Sequence, residues 1–175
     1  MIEYIGILFT LISVYLSRNS NRYCWVFGIV GVIMYFMIFF KIHDYLNMFL
    51  QVVFFIQCVY GWFHWSKTNI SPSYLQNKAE NLIIVPLFIF LFSLSRVIAS
   101  RDPFLDSITT TLSIYATYLL SRKKIEGWVY WVVSDLFLVM LFFKNDMYPS
   151  MVTYFIFLLL SISGFLKWRK DIKEA

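Results

Sequence analysis

The chain has 175 residues and a formal net charge of +5, and 60% of its residues are hydrophobic, 21% aromatic and only 14% charged. Soluble domains carry about 25% charged residues, so this composition excludes a soluble enzyme, a disordered chain and a disulfide scaffold. The basic residues are scattered between apolar runs and form no patch, which argues against nucleic acid as a partner. The composition therefore predicts an integral membrane protein.

The apolar residues fall into seven segments, each close to the roughly 20 residues that a membrane-spanning helix needs. The segments are residues 2–17, 24–41, 45–65, 81–99, 104–121, 126–144 and 147–168. Polar or basic residues separate them, and the longest break, from Ser66 to Asn81, contains the turn signal Ser71-Pro72-Ser73. We therefore expect an all-α integral membrane protein with seven transmembrane helices.

The basic residues are distributed unequally between the two sides of the predicted membrane. One side, with the loops after spans one, three and five and the C-terminus, holds eleven of them, and the other side holds Lys41, Arg96, Arg101 and Lys144. Because Lys and Arg accumulate in cytoplasmic loops, this asymmetry predicts an outside N-terminus and a cytoplasmic C-terminus. Trp65 and Trp168, at the ends of spans three and seven, are expected to anchor those ends at the membrane interface.

The chain also contains an internal repeat with a spacing of 103 residues. Without a gap, Tyr15–Trp65 aligns with Tyr118–Trp168. Identical pairs that apolar composition alone does not explain include Trp25/Trp128, Lys41/Lys144, Gly61/Gly164 and Trp65/Trp168. Spans one to three therefore match spans five to seven, and span four is a connector.

The repeat predicts how the helices are arranged. Four crossings separate equivalent spans, so the two units point the same way. We expect two parallel three-helix-bundle repeats joined by a linker helix, the 3+1+3 order of SWEET-type transporters, with a substrate site between the units. The predicted parts are a first repeat at 1–65, a linker loop and connector helix at 66–103, and a second repeat with a basic cytoplasmic tail at 104–175.

Asp135 is the most informative polar residue, because it lies at the centre of span six. An ionised carboxylate there costs about 2.5–3.5 kcal/mol on insertion scales, which makes a lipid-facing position unfavourable. Trp128, Trp131 and Asp135 have the spacing i, i+3, i+7 of one helical face. An acid beside indoles suits a flat cationic or polar aromatic molecule. The alternatives for Asp135 are hydrogen bonds from a neighbouring helix or pairing with a nearby base, and the alternative for Trp128 is an anchor at the membrane interface.

Other polar or aromatic side chains in the spans extend the candidate set. Gln51 and Gln57 in span three either bind substrate or hold helices together. Asp106 and Thr110 open span five, where they either cap the helix, the role favoured for Asp106, or line a polar vestibule. Tyr35 in span two is expected either to bind substrate or to pack against neighbouring side chains. The sequence has no nucleophile–base, metal-ligand or nucleotide-binding motif, so we expect no enzyme activity, metal or cofactor.

Several stretches together resemble the PnuC family of bacterial vitamin transporters. They are Gln51-Val52-Val53, residues 60–65, residues 106–110, residues 121–128 with Trp131 and Asp135, and Gly164-Phe165 with Trp168. The resemblance covers nearly the whole chain. It implies a facilitated-diffusion carrier in the bacterial inner membrane, often trimeric, whose net uptake is driven by a cytoplasmic kinase that phosphorylates the substrate.

The resemblance also implies a substrate class and a site. The family carries chiefly nicotinamide riboside, and relatives carry thiamine or riboflavin. Its binding groups map onto Trp128, Trp131, Asp135 and Gln51. An acid flanked by indoles fits either cation, nicotinamide riboside or thiamine, and ranks neutral riboflavin third. A membrane scaffold or receptor subunit that transports nothing is the alternative from another class.

Overall fold

The computed structural model describes residues 2–67, 71–75, 78–97, 102–144 and 146–174. Within these residues the regular secondary structure is helical, apart from one isolated β-bridge between Ser73 and Lys124. The helices are α1 (Ile2–Arg18), α2 (Cys24–Lys41), α3 (Tyr45–Lys67), α4 (Ile84–Val97), α5 (Pro103–Ser121), α6 (Glu126–Lys144) and α7 (Tyr148–Glu174), and a 3₁₀ helix, Lys78–Ile83, precedes α4. The predicted all-α fold is confirmed for this described part.

The helix bounds follow the predicted apolar segments to within two residues, with two larger differences. The fourth α-helix begins at Ile84 because the preceding residues form the 3₁₀ helix, and Pro86 lies in the first turn, where a missing N–H costs nothing. The seventh helix continues past the predicted end at 168 to Glu174. Residues 98–99 of the predicted fourth span, and Arg101, lie outside the described residues.

Five described segments are long and apolar enough to cross a membrane: Cys24–Lys41, Asn47–Lys67, Ala79–Val97, Glu126–Lys144 and Tyr148–Glu174. The first helix, with 17 residues, is shorter than these. Helix α5 has the length but carries Ser107, Thr109, Thr111 and Ser113, all of which are buried. Because α3, α4 and α6 pack around it, its hydroxyl groups face protein and need no lipid-compatible surface.

The helices pack in a ring of six. Neighbours in sequence pack together in α1–α2–α3 and in α5–α6–α7, and the ring is closed by the contacts of α3 with α5 and of α1 with α7. Helix α4 lies outside this ring and packs against α5. The two cross-contacts are equivalent in the sequence repeat, because α3 matches α7 and α5 matches α1.

Matched turns occur at the repeat spacing. Ser20 and Lys123, 103 residues apart, both have φ of 54°, and His43 and Asp146, also 103 apart, have φ of 58° and 57°. These are the positive-φ residues of the described chain, and such φ values are uncommon for side-chain-bearing residues. The same unusual backbone conformation therefore follows the ends of α1 and α5, and it also follows the ends of α2 and α6.

The segment before α4 is fastened to the turn between α5 and α6. The backbone N–H of Ser73 donates to Lys123 O, and the N–H of Ile125 donates to Ser73 O, each at 3.0 Å. The Leu75 N–H donates to both carboxylate oxygens of Glu126 at 3.0 Å. These bonds hold the connector against the second half of the chain, where α4 packs.

Candidate functional site

Asp135 on α6 is fully buried, with 0% of its surface exposed. Its Oδ2 accepts a hydrogen bond of 3.0 Å from the Ser161 hydroxyl on α7. Its Oδ1 is buried and has no hydrogen-bond partner among the described residues. An unpaired buried acceptor is costly, so this oxygen is a candidate contact for a ligand.

Polar groups from two neighbouring helices lie around this carboxylate. Ser134, next to Asp135 and also fully buried, shares a 2.9 Å hydrogen bond with the Ser113 hydroxyl on α5 and donates to Thr109 O. On α7, Tyr154 lies within electrostatic range of Asp135 and of Tyr35. Asp135 therefore bonds α6 to α7, and the adjacent Ser134 bonds α6 to α5.

Ser161, Ser134 and Tyr154 were missed in the sequence analysis. A serine in an apolar helix attracts little notice, because its hydroxyl bonds readily to its own helix backbone. A usable signal existed on α7, where Tyr154 and Ser161 have the i, i+7 spacing of one face.

The structure places Trp128 in a packed core. Its side chain is 1% exposed, and a Cβ added at Gly164 would lie 2.7 Å from its ring. The Trp168 ring meets it edge-on, with centroids 5.6 Å apart. Trp128 also lies two helical turns, about 10 Å, from Asp135. Trp131, between them, is half-buried and packs against the same core.

The expectation that Trp65 and Trp168 are interfacial anchors is wrong. They are 5% and 0% exposed, because each indole is enclosed between the two halves of the chain. The Trp65 Nε1 donates to Ser121 O at 3.0 Å, and the Trp168 Nε1 donates to Arg18 O at 3.1 Å. Arg18 and Ser121 are themselves 103 residues apart, so the two bonds are equivalent in the repeat.

Four tryptophans form a continuous chain of ring contacts that we call the tryptophan cluster. Trp25 meets Trp65 at 5.3 Å, Trp65 meets Trp168 at 6.1 Å, and Trp168 meets Trp128 at 5.6 Å. The Lys123 ammonium lies 4.7 Å from the centroid of the Trp65 ring. Burial lowers the pKa of this ammonium. The cluster closes the end of the helix ring at which α1 and α5 terminate.

The two glutamines of α3 have different surroundings. Gln51 is buried beside a partly open cavity of about 170 Å³, whose other walls are Val32, Ile33, Phe36, Val52 and Phe55. Gln57 instead joins α3 to α5, because its Nε2 donates to Ile114 O at 2.9 Å. The Gln57 Oε1 is buried without a hydrogen-bond partner in the described part of the chain. Gln57 thus offers a second buried acceptor at a contact between the two halves.

The remaining predicted residues are Asp106, Thr110 and Tyr35. Asp102, not Asp106, occupies the N-cap position of α5, and Asp106 lies in the first turn of the helix. Thr110 is half-buried. Tyr35 is half-buried and stacks on Phe39 at 6.4 Å.

Comparison with known proteins gives the family. A family model described as nicotinamide mononucleotide transporter matches residues 1–170. The nicotinamide riboside transporter PnuC of Escherichia coli (strain K12) is 26% identical over 212 residues, covering 99% of this chain and 87% of that protein. The PnuC of Neisseria mucosa is 30% identical over 83 residues, which cover 44% of this chain and 32% of that protein.

A solved structure agrees in fold. The crystal structure of the vitamin B3 transporter PnuC has a TM-score of 0.78 to this chain at 21% identity, covering 99% of this chain and 82% of that one. The sequence resemblance to the PnuC family is confirmed. With several apolar helices and a family match over nearly its whole length, the chain is a multi-pass inner-membrane protein that belongs to the nicotinamide mononucleotide transporter family.

Proposed function

We propose that this protein carries nicotinamide riboside across the membrane by facilitated diffusion. Phosphorylation of the imported riboside by a cytoplasmic kinase would drive net uptake. The observation that carries the proposal is the buried carboxylate of Asp135, whose Oδ1 has no partner among the described residues. A cationic pyridinium ring would supply the missing charge. The names of the relatives, nicotinamide riboside transporters, support the same substrate.

Charge favours the riboside over the mononucleotide that the family description names. The two molecules share the cationic ring, but the mononucleotide adds a phosphate with a charge of about −1.5 to −2 at neutral pH. Since like charges in a low-dielectric interior repel strongly, a buried carboxylate disfavours the phosphate. Thiamine, another cationic ring, is the alternative substrate, and neutral riboflavin ranks after it.

We further propose that the chain consists of two parallel three-helix units, 1–65 and 104–175, joined by the connector at 66–103. The matched turns at Ser20 and Lys123 and the equivalent bonds of Trp65 and Trp168 support this arrangement. The excess of basic residues supports a cytoplasmic C-terminus and an outside N-terminus. The family resemblance supports a homotrimer.

Transport would then proceed by alternating access between the two units. The tryptophan cluster lies at the end of the ring on the more basic, cytoplasmic side, where Trp65 and Trp168 bond each unit to the other. Release into the cytoplasm requires both bonds to break and the rings to separate. On this proposal, the described conformation would be the one closed to the cytoplasm.

A side-by-side binding experiment tests the substrate. We expect purified protein to bind nicotinamide riboside at least tenfold more tightly than nicotinamide mononucleotide, because only the mononucleotide brings a second charge that Asp135 repels. Isothermal titration with the riboside, the mononucleotide, thiamine and riboflavin measures this directly. Tighter binding of the mononucleotide would overturn the assignment, and tighter binding of thiamine would transfer it to the alternative.

A further inference from the structure

We infer that Ser161 is a positioning residue for the Asp135 carboxylate, an inference that rests on the proposed function. The Ser161 hydroxyl on α7 donates to Asp135 Oδ2 at 3.0 Å, and the two residues are 3% and 0% exposed. A carboxylate has two equivalent oxygens and turns easily about its last torsion. The serine engages one oxygen and thereby leaves the other, Oδ1, as the acceptor for the substrate.

The pair formed by Asp135 and Ser161 belongs to the second repeat unit, and the equivalent positions of the first unit hold different residues. The positions 103 residues earlier are Val32, equivalent to Asp135, and Cys58, equivalent to Ser161. Cys58 is buried in an apolar core to which both units contribute. Both members of the pair are therefore polar in the second unit and weakly polar or apolar in the first. A serine needed only for packing α6 against α7 would have no reason to differ in step with the acid.

The hydrogen bond also has the chemistry of a positioning contact. A hydroxyl that donates to an ionised carboxylate forms a charge-assisted bond, which is stronger than a bond between neutral groups. Both groups are buried, so water does not compete with the bond. Without it, the carboxylate would rotate between several orientations, and binding of a cation would have to restrict that freedom.

A positioning role for Ser161 and a packing role predict different effects on how well the site distinguishes a cationic ligand from a neutral one. Measuring that difference in affinity therefore separates the two roles. Nicotinamide riboside and its reduced dihydro form have the same ribose and nearly the same shape, but only the oxidised ring is cationic. We expect Ser161→Ala to weaken binding of the cation about tenfold, the loss typical of one hydrogen bond to a charged group. The reduced form should change less than about twofold, because it makes no charge contact with Oδ1.

Companion variants complete the experiment. Ser161→Thr keeps the hydroxyl and should restore discrimination, whereas Ser161→Cys, which copies position 58, should not. In an Asp135→Asn background, Ser161→Ala should have no further effect on the cation. The inference is overturned if Ser161→Ala weakens both ligands equally, if discrimination is unchanged, or if the effect persists without the acid. If the unmodified protein does not prefer the cation, the proposed function itself fails.

Discussion

Replacing Asp135 with Asn should weaken binding of nicotinamide riboside about a hundredfold, or roughly 2.7 kcal/mol. The substitution keeps the shape of the side chain and the acceptor for Ser161 but removes the negative charge. Truncating one partner of a buried charge pair typically costs about 2–5 kcal/mol of binding. Affinity should be measured by isothermal titration on protein in the same detergent.

The same substitution should leave the protein as stable or make it more stable. In the unliganded protein Asp135 Oδ1 is buried without a described partner, and burying a carboxylate costs more than burying an amide. The matched control is Asp102→Asn, which removes an acid whose 3.0 Å bridge to the exposed Lys144 contributes about 0–1 kcal/mol. An Asp135→Asn protein that binds within threefold of the unmodified chain would remove Asp135 from the site.

Adding a single methyl group at Gly61 should open the tryptophan cluster. A Cβ at this position would overlap the indole of Trp25, which presses directly on the glycine backbone. Overpacking of this kind costs about 1–3 kcal/mol, so we expect Gly61→Ala to lower the free energy of unfolding by that amount. Displacement of the indole should also expose Cys24 and Cys58, two free cysteines buried in the same core.

Labelling of these cysteines with a maleimide provides the measurement. We expect the labelling rate of folded Gly61→Ala to rise on the order of tenfold, as a loss of about 1.4 kcal/mol in local stability implies. Gly6→Ala is the control, because its new Cβ would meet Met34 and Tyr35 at 3.4 and 3.5 Å, ordinary contact distances. Equal labelling of both variants would show that the cluster does not depend on this close approach.

The helices themselves were accessible from the sequence, whereas contacts between the halves were not. Hydropathy located α2 at its observed bounds, because a helix in lipid must be apolar along its whole length. The anchoring role expected for Trp65 and Trp168 failed for a non-local reason. Their burial depends on α5 and α1, which are distant in sequence, and a tryptophan at a helix end looks the same whether it faces lipid or another helix.

In the candidate site, too, some features were predictable from the sequence and others were not. The burial of Asp135 was predictable from the cost of its charge in a membrane. The enclosure of the Trp128 ring was not predictable, because its position between Gly164 and Trp168 is set by tertiary packing. Ser161 became informative only when its bond to Asp135 was visible and its repeat counterpart, Cys58, could be compared.

Exchange across a bilayer tests the transport function most directly. Liposomes containing the protein and loaded with unlabelled nicotinamide riboside should take up external radiolabelled riboside without ATP or an ion gradient. Under these conditions a facilitated carrier accumulates label transiently above its equilibrium level, and Asp135→Asn should abolish that excess. Uptake no faster than in protein-free liposomes would contradict a carrier and favour a membrane protein that transports nothing.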